Sequence, residues 1–137
     1  MNNPKFVFDT NTLISAALLD GSTNARALDE AFKVGEVIIS EATFSEFSQV
    51  LFRKKFDRYL TNERRFQIIN KIKRDAMMQV CVTKVDVCRD PDDNKYIGLA
   101  IDAGAICIVT GDKDLLILHP FNNINILTAA EFLKMAF

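Results

Sequence analysis

One histidine, three cysteines and five glycines in 137 residues close several classes of chemistry at the outset. His119 stands before Pro120 in a stretch that reads as loop. A single imidazole excludes zinc sites built on several histidines and leaves a His-based nucleophilic triad unsupported. Cys81, Cys88 and Cys107 are odd in number and lack metal-type spacing, and Cys107 falls in an apolar strand, so all three read as reduced, structural thiols. The few glycines form no P-loop, no GxGxxG turn and no nucleophile elbow. No apolar run approaches the roughly 20 residues a membrane span needs. Met1-Asn2-Asn3-Pro4-Lys5 leads into the first strand without a signal-peptide pattern, so a cytoplasmic protein is expected.

What is present suits one globular unit. Apolar residues make up 49% of the chain, enough for a core and too many for disorder. Without repeats, low-complexity segments or linkers, residues 1–137 are expected to form a single domain. The net charge of −1 hides an asymmetry. Nine of the 17 basic residues (Arg53, Lys54, Lys55, Arg58, Arg64, Arg65, Lys71, Lys73 and Arg74) share one stretch with only Asp57 and Glu63, and the remainder is strongly acidic. One face can therefore attract phosphate while the acidic part attracts a cation.

Apolar periodicity gives the elements. Phe6-Val7-Phe8 reads as a buried strand, and Leu13, Ile14, Ala17 and Leu18 mark a helix after it. Asn24 to Lys33 is a second helix ending at Gly35, and Val37-Ile38-Ile39 a second strand. Ser40 can cap a third helix that buries Phe44, Phe47, Val50 and Leu51. The basic stretch is helical, with Phe66, Ile69 and Ile72 or Lys73 in one stripe, and Gln79 to Thr83 is β-rich. Asp90-Pro91-Asp92-Asp93-Asn94 opens a helix that Gly104 stops. Ile106 to Thr110 and Asn125 to Leu127 are strands, and Thr128-Ala129-Ala130-Glu131 is a capping box opening the terminal helix. Strands alternating with helices predict an α/β fold, a three-layer α/β/α sandwich around a parallel sheet of about five strands.

Two of those strands end in acid. Asp9 follows Phe6-Val7-Phe8, and Asp112 follows Cys107-Ile108-Val109 through Thr110 and Gly111. Ligands of open α/β sheets bind outside such strand ends. Asp9 is either a ligand or the N-cap of the next helix, and Asn11 either a neutral oxygen ligand, an orienter of Asp9 or the cap itself. Asp112 and Asp114 are also ordinary turn residues. Thr110 reads as a hydrogen bonder behind the acids. Asp93 leads Tyr96, Ile97 and Ala100 by three, four and seven residues, which turns it toward the core, whereas Asp90 and Asp92 suit capping and solvent. Glu46 adjoins Phe47 one turn into its helix. Four converging carboxylates need something cationic among them, and hard oxygen donors suit Mg2+ or Mn2+.

These residues resemble the PIN-domain ribonucleases, including VapC-type toxins of toxin–antitoxin systems. The resemblance spans nearly the whole chain. It rests on Phe6-Val7-Phe8-Asp9-Thr10-Asn11, on Ser45-Glu46-Phe47, on Asp90-Pro91-Asp92-Asp93-Asn94-Lys95 leading to Ala100, and on Val109-Thr110-Gly111-Asp112-Lys113-Asp114-Leu115. It implies metal-dependent cleavage of single-stranded RNA, with Asp9, Glu46, Asp93 and Asp112 binding Mg2+ or Mn2+ and Thr10, Asn11, Thr110 and Asp114 in support. A homodimer and a cognate antitoxin protein are the partners it implies, and no membrane. Gly111 replaces a residue that is polar in many relatives. Arg53, Lys54, Lys55, Arg58, Arg64 and Arg65 would guide the RNA backbone. Without metal the crowded acids should repel one another and hold raised pKa values. The rivals are a haloacid-dehalogenase-like phosphatase, whose second acid Asn11 cannot replace, a silent RNA- or partner-binding module of the same fold, and a receiver-type domain.

Overall fold

The computed structural model describes residues 3–137; Met1 and Asn2 lie outside the described residues. The chain alternates β1 (Lys5–Phe8), α1 (Thr10–Leu18), α2 (Thr23–Val34), β2 (Glu36–Ile39), α3 (Glu41–Leu51), α4 (Asn62–Asp75), β3 (Met77–Met78), α5 (Asn94–Ala103), β4 (Cys107–Val109), α6 (Lys113–Leu116), β5 (Asn125–Leu127) and α7 (Ala129–Leu133). Short 3-10 turns at Lys54–Phe56 and Pro91–Asp93 precede α4 and α5. All five strands are parallel, in the order β3-β2-β1-β4-β5.

Each strand is so short that its alternating side chains decide both faces of the sheet. Phe6, Phe8, Val37, Ile39, Cys107, Val109 and Leu127 point to the layer of α1, α2, α3, α4 and α7. Val7, Ile38, Ile108 and Ile126 point to the opposite layer, against Tyr96, Ile97, Leu99 and Ala100 of α5 and Leu115 of α6. Burial on both faces explains why the strands are continuous apolar runs, as three-layer parallel sheets require. Ser22, Ser40, Thr61 and Thr128 each cap a helix by accepting a backbone N–H three residues on. Gly104 closes α5 at φ +66°, a left-handed conformation that favours glycine.

The chain leaves β1 toward β2 and β3, then returns to lay β4 on the other side of β1. The switch point of the fold therefore lies between the carboxyl ends of β1 and β4, where an open α/β sheet forms its crevice. Asp9 directly follows one of those strands, and Asp112 follows the other across Thr110 and Gly111.

Two expectations need correction. The third strand covers Met77–Met78, not Gln79 to Thr83. The Gln79 N–H still reaches the Ile39 carbonyl at 2.8 Å, but beyond it the chain turns onto α5. There Val82 and Thr83 donate their N–H groups to Asp102 at 2.7 and 2.9 Å, and Val87 and Cys88 donate theirs to Asn94 Oδ1 at 3.1 and 2.9 Å. β-propensity was outcompeted by two side-chain acceptors on one face of α5. The apolar stripe of α4 is also displaced: Arg65, Ile68 and Ile72 are buried, whereas Phe66 is exposed against Phe52.

Arg65 is thus no surface contact for RNA. Its guanidinium is 2% exposed and every nitrogen has a partner. Nε donates to the Leu51 carbonyl at 2.7 Å, Nη1 to Leu60 O and Asn62 Oδ1 at 3.2 Å, and Nη2 to Asp57 Oδ1 at 2.9 Å and Arg53 O at 3.3 Å. It satisfies carbonyls at the C-terminal end of α3 that the helix itself cannot. Arg65→Met should lower the unfolding free energy by about 2–4 kcal/mol in urea titrations, because it leaves several buried carbonyls unpaired. Arg64→Met, at an exposed position, should stay within about 0.5 kcal/mol of wild type.

Candidate active site

Asp9 is 5% exposed, and its two oxygens serve different elements. Oδ1 caps α1 by accepting the Thr12 N–H at 2.9 Å, while Oδ2 accepts the Thr110 hydroxyl at 2.5 Å. The capping and site readings of Asp9 are therefore compatible in one side chain. Thr110, 1% exposed, also accepts the Asp112 N–H at 3.0 Å and so ties the two strand ends together. Asp112 in turn caps α6 by accepting the Asp114 N–H at 2.9 Å. Asp9, Asn11, Thr110 and Asp112 line a cleft of about 450 Å³, with Asn11 exposed.

The triple-acid turn separates by role. Asp90 accepts the Asp92 N–H at 3.0 Å, and Asp92 is exposed. Asp93 sits at the N-cap of α5 yet makes no capping hydrogen bond. One of its carboxylate oxygens is buried without a partner. Burial, then the charge of Asp112, pushes the Asp93 carboxyl up to about 6. Burial also raises Asp9, with Asp112 adding repulsion. These three carboxylates therefore bear on one another electrostatically at the switch point.

Glu46 stands differently. Its Oε1 accepts the Tyr96 hydroxyl at 2.7 Å, and its Oε2 pairs with the Lys95 ammonium. Burial works to raise its pKa, but the hydrogen bonds from Lys95 and Tyr96 outweigh that and hold the carboxyl below its ordinary value. The Tyr96 oxygen also accepts the Thr10 N–H at 3.1 Å and lies 2.6 Å from Thr10 Oγ1. Thr10 thus links Glu46 to the start of α1, next to Asp9. Asp114 is half-buried and lies 3.9 Å from Arg89.

Lys95 and Tyr96 are the functional candidates that sequence reasoning missed. Its spacing from Asp93 marks Tyr96 only as core-facing, yet a buried tyrosine needs a partner for its hydroxyl, and that is the signal the sequence holds. Arg53, Lys54, Lys55, Arg58 and Arg64 are exposed. Arg53, Lys54, Lys55 and Arg58 lie beyond the C-terminal end of α3, a helix of 11 residues, so its length of roughly 16 Å separates them from the tip of β2 where it begins.

Among the described residues no three His, Cys, Asp or Glu side chains stand close enough to hold an ion as they are placed. The donor set nevertheless fits a hard divalent cation. It offers carboxylate oxygens only, one of them buried and unpartnered, in a site where burial and the charge of Asp112 raise the pKa of Asp93 and Asp9.

Comparison with known proteins agrees with this fold. Residues 5–114 match the family model of the PIN domain. An uncharacterized protein of Methanocaldococcus jannaschii, MJ1680, is 36% identical over 122 residues, covering 86% of this chain and 77% of that protein. Among solved structures, PAE2754 from Pyrobaculum aerophilum superposes with a TM-score of 0.63 at 16% identity, covering 96% of this chain and 88% of that one. VapBC2 from Rickettsia felis, solved bound to a DNA fragment from its promoter, gives a TM-score of 0.57 at 14% identity over 90% of this chain and 96% of that one. Mycobacterium tuberculosis VapC20, a toxin that cleaves the sarcin-ricin loop, gives 0.54 at 12% identity over 88% of this chain and 98% of that one. At these identities the structures share a fold with the chain, while the family model covers most of its length: this chain belongs to the PIN-domain family.

Proposed function

We propose that the protein is a divalent-metal-dependent endoribonuclease that hydrolyses phosphodiester bonds of single-stranded RNA, acting as the toxin of a toxin–antitoxin pair. The observation that carries this reading is the buried, unpartnered oxygen of Asp93 beside Asp9 and Asp112 at the switch point of the sheet. Asp9, Asp93 and Asp112 would hold Mg2+ or Mn2+, with Glu46 completing the acidic set. Such an ion lowers the pKa of water and counters charge on a phosphate under attack. Thr110 aims Asp9 by donating to Oδ2 and opposes the rise that burial imposes on its pKa, and Thr12 fixes its other oxygen. Tyr96 and Lys95 orient Glu46.

The exposed cations Arg53, Lys54, Lys55, Arg58 and Arg64 would follow the RNA backbone away from the acids. A VapBC relative in the same fold and a relative that cuts an RNA loop support an antitoxin partner and an RNA substrate. A homo-oligomer and a cytoplasmic location belong to the same reading. No helix among the described residues is long and apolar enough to cross a membrane. The phosphatase alternative gains nothing, since neutral Asn11 stands where that chemistry needs a proton carrier.

Labelled single-stranded RNA should be cut with Mg2+ or Mn2+ and left intact with EDTA. Asp9→Asn keeps an oxygen to cap α1 but removes the charge, and should lower the cleavage rate by roughly 100-fold or more with the fold retained. Cleavage by Asp9→Asn at the wild-type rate would overturn the site, and intact RNA across several sequences would overturn the activity.

The raised Asp93 carboxyl sets a pH signature. The folded chain holds that proton more tightly than the unfolded chain. The metal-free protein is therefore favoured below the ordinary value of 3.8 and loses stability as pH rises to about 6. Asp93→Asn should match wild type near about pH 4 and melt higher at about pH 7.5 without metal. Added Mg2+ should raise the wild-type Tm more at about pH 7.5 than at about pH 5, because protons and metal compete. An equal Mg2+ shift at both pH values would count against metal binding at Asp93.

The basic segment predicts a salt dependence. Neutralising Arg53, Lys54 and Lys55 in the Asp9→Asn background should reduce the slope of log affinity against log salt by roughly 2, at about 0.7 per phosphate contact on single strands. An unchanged slope in filter-binding titrations would remove these residues from the RNA path.

A further inference from the structure

The four acids of the site divide unequally in their partners. Asp93 keeps a buried oxygen with none. Glu46 has both oxygens engaged by protein donors, Oε1 by Tyr96 and Oε2 by Lys95. The ammonium of Lys95 is itself fixed three ways. It pairs with Glu46, donates to the Asp92 carbonyl at 2.8 Å, and lies 5.2 Å from the centroid of the Tyr96 ring. The lysine and glutamate side chains are 23% and 33% exposed, so water screens this pair less than a surface pair. Among the described residues Lys95 is the cation that pairs with one of the four site carboxylates.

We infer that Lys95 is a built-in counter-ion that reserves Glu46, so that the site takes a single divalent ion on its Asp9, Asp93 and Asp112 side and Lys95 stands where a second ion would otherwise be drawn. This inference rests on the metal-dependent reading above. Two-metal hydrolases place their ions roughly 3.5–4 Å apart and need carboxylate charge for each. Here a second dication would have to displace an ammonium that three protein groups hold, and then desolvate beside the first. Lys95 is covalently present at every turnover, whereas a second ion must be captured from solution. Because Lys95 acts through Glu46, it is a positioning residue. Its location two residues after Asp93 puts the proposed ion side and the lysine side of the site at the opening of the same helix, α5.

Counting bound Mn2+ separates the possibilities without any assay of cleavage. The full chain is titrated with Mn2+ and free ion is read by electron paramagnetic resonance, with circular dichroism confirming the fold of each variant. Wild type should bind one ion tightly, and Lys95→Arg should do the same. Lys95→Met keeps most of the aliphatic stem but frees Glu46, and should bind two; Lys95→Met combined with Glu46→Gln should return to one. Glu46→Gln alone should keep the single tight ion, a comparison that holds even if Lys95→Met fails to fold. Two ions on wild type, one ion on folded Lys95→Met, or loss of the tight ion in Glu46→Gln would each overturn the role of Lys95. Wild type that binds no Mn2+ would instead sink the metal-dependent reading, and the inference with it.

Discussion

A carboxylate buried at the end of the central strand is the constraint on which the rest of the site depends. Burying Asp9 is unfavourable unless its oxygens are hydrogen-bonded. The fold meets that demand from two directions, with the Thr12 N–H inside its own helix and the Thr110 hydroxyl from the neighbouring strand end. Register makes the second bond available: Phe8 pairs with Val109, so the residues that follow, Asp9 and Thr110, leave the sheet side by side. The Asp9 N–H continues the ladder onto the Val109 carbonyl at 3.2 Å. A one-residue slip between β1 and β4 would also move Phe6 and Phe8 off their core face. The apolar core and the acidic site are thus specified by the same pairing.

The parts of this arrangement visible in the sequence are those with local causes. Phe6-Val7-Phe8 and Cys107-Ile108-Val109 are apolar on every residue because both sheet faces are covered, and that pattern needs no tertiary knowledge. Ser40 and Thr128 announce their helices for equally local reasons. Arg65 shows where such reasoning stops. Its neighbours Arg64, Lys54 and Lys55 are solvated, and nothing in composition marks one arginine of the run as buried. What selects it is the free carbonyls of Leu51 and Arg53, 14 and 12 residues away, at the end of a helix that α4 packs against. The β-rich run Val80-Cys81-Val82-Thr83 misled for a related reason, since the acceptors that drew it from the sheet lie on α5.

That diverted segment reaches the site through one helix face. Asn94, Gly98 and Asp102 recur every four residues along α5, and all three meet the segment. Asn94 and Asp102 accept its N–H groups, and the Thr83 hydroxyl and N–H groups hold the Asp102 carboxyl down at about 2. Gly98 is needed because a Cβ there would stand 2.6 Å from the Thr83 carbonyl oxygen. The strapped chain runs from Val82 to Cys88 and then straight into the Asp90–Asp93 turn. Fastening it to α5 fixes the approach of that turn, and with it the backbone that carries Asp93 and Lys95.

Charge is then distributed by what each acid can reach. Asp93 occupies a capping position without capping, and burial, then the charges of Asp112, Asp90 and Asp9, makes its pKa climb. Glu46, a helix away, meets Lys95 and Tyr96, and its pKa falls. A uniform cluster of four repelling carboxylates, the picture suggested by residue types alone, gives way to a frustrated side and a balanced side joined through Thr10 and Tyr96. Frustration of this kind weakens the empty fold and favours whatever cation relieves it. The balanced side makes no such demand. Its ion pair and the Tyr96 hydroxyl hold Glu46 in one orientation from within the protein, so on the metal-dependent reading proposed above this half of the site would not have to be rebuilt when the other half takes an ion.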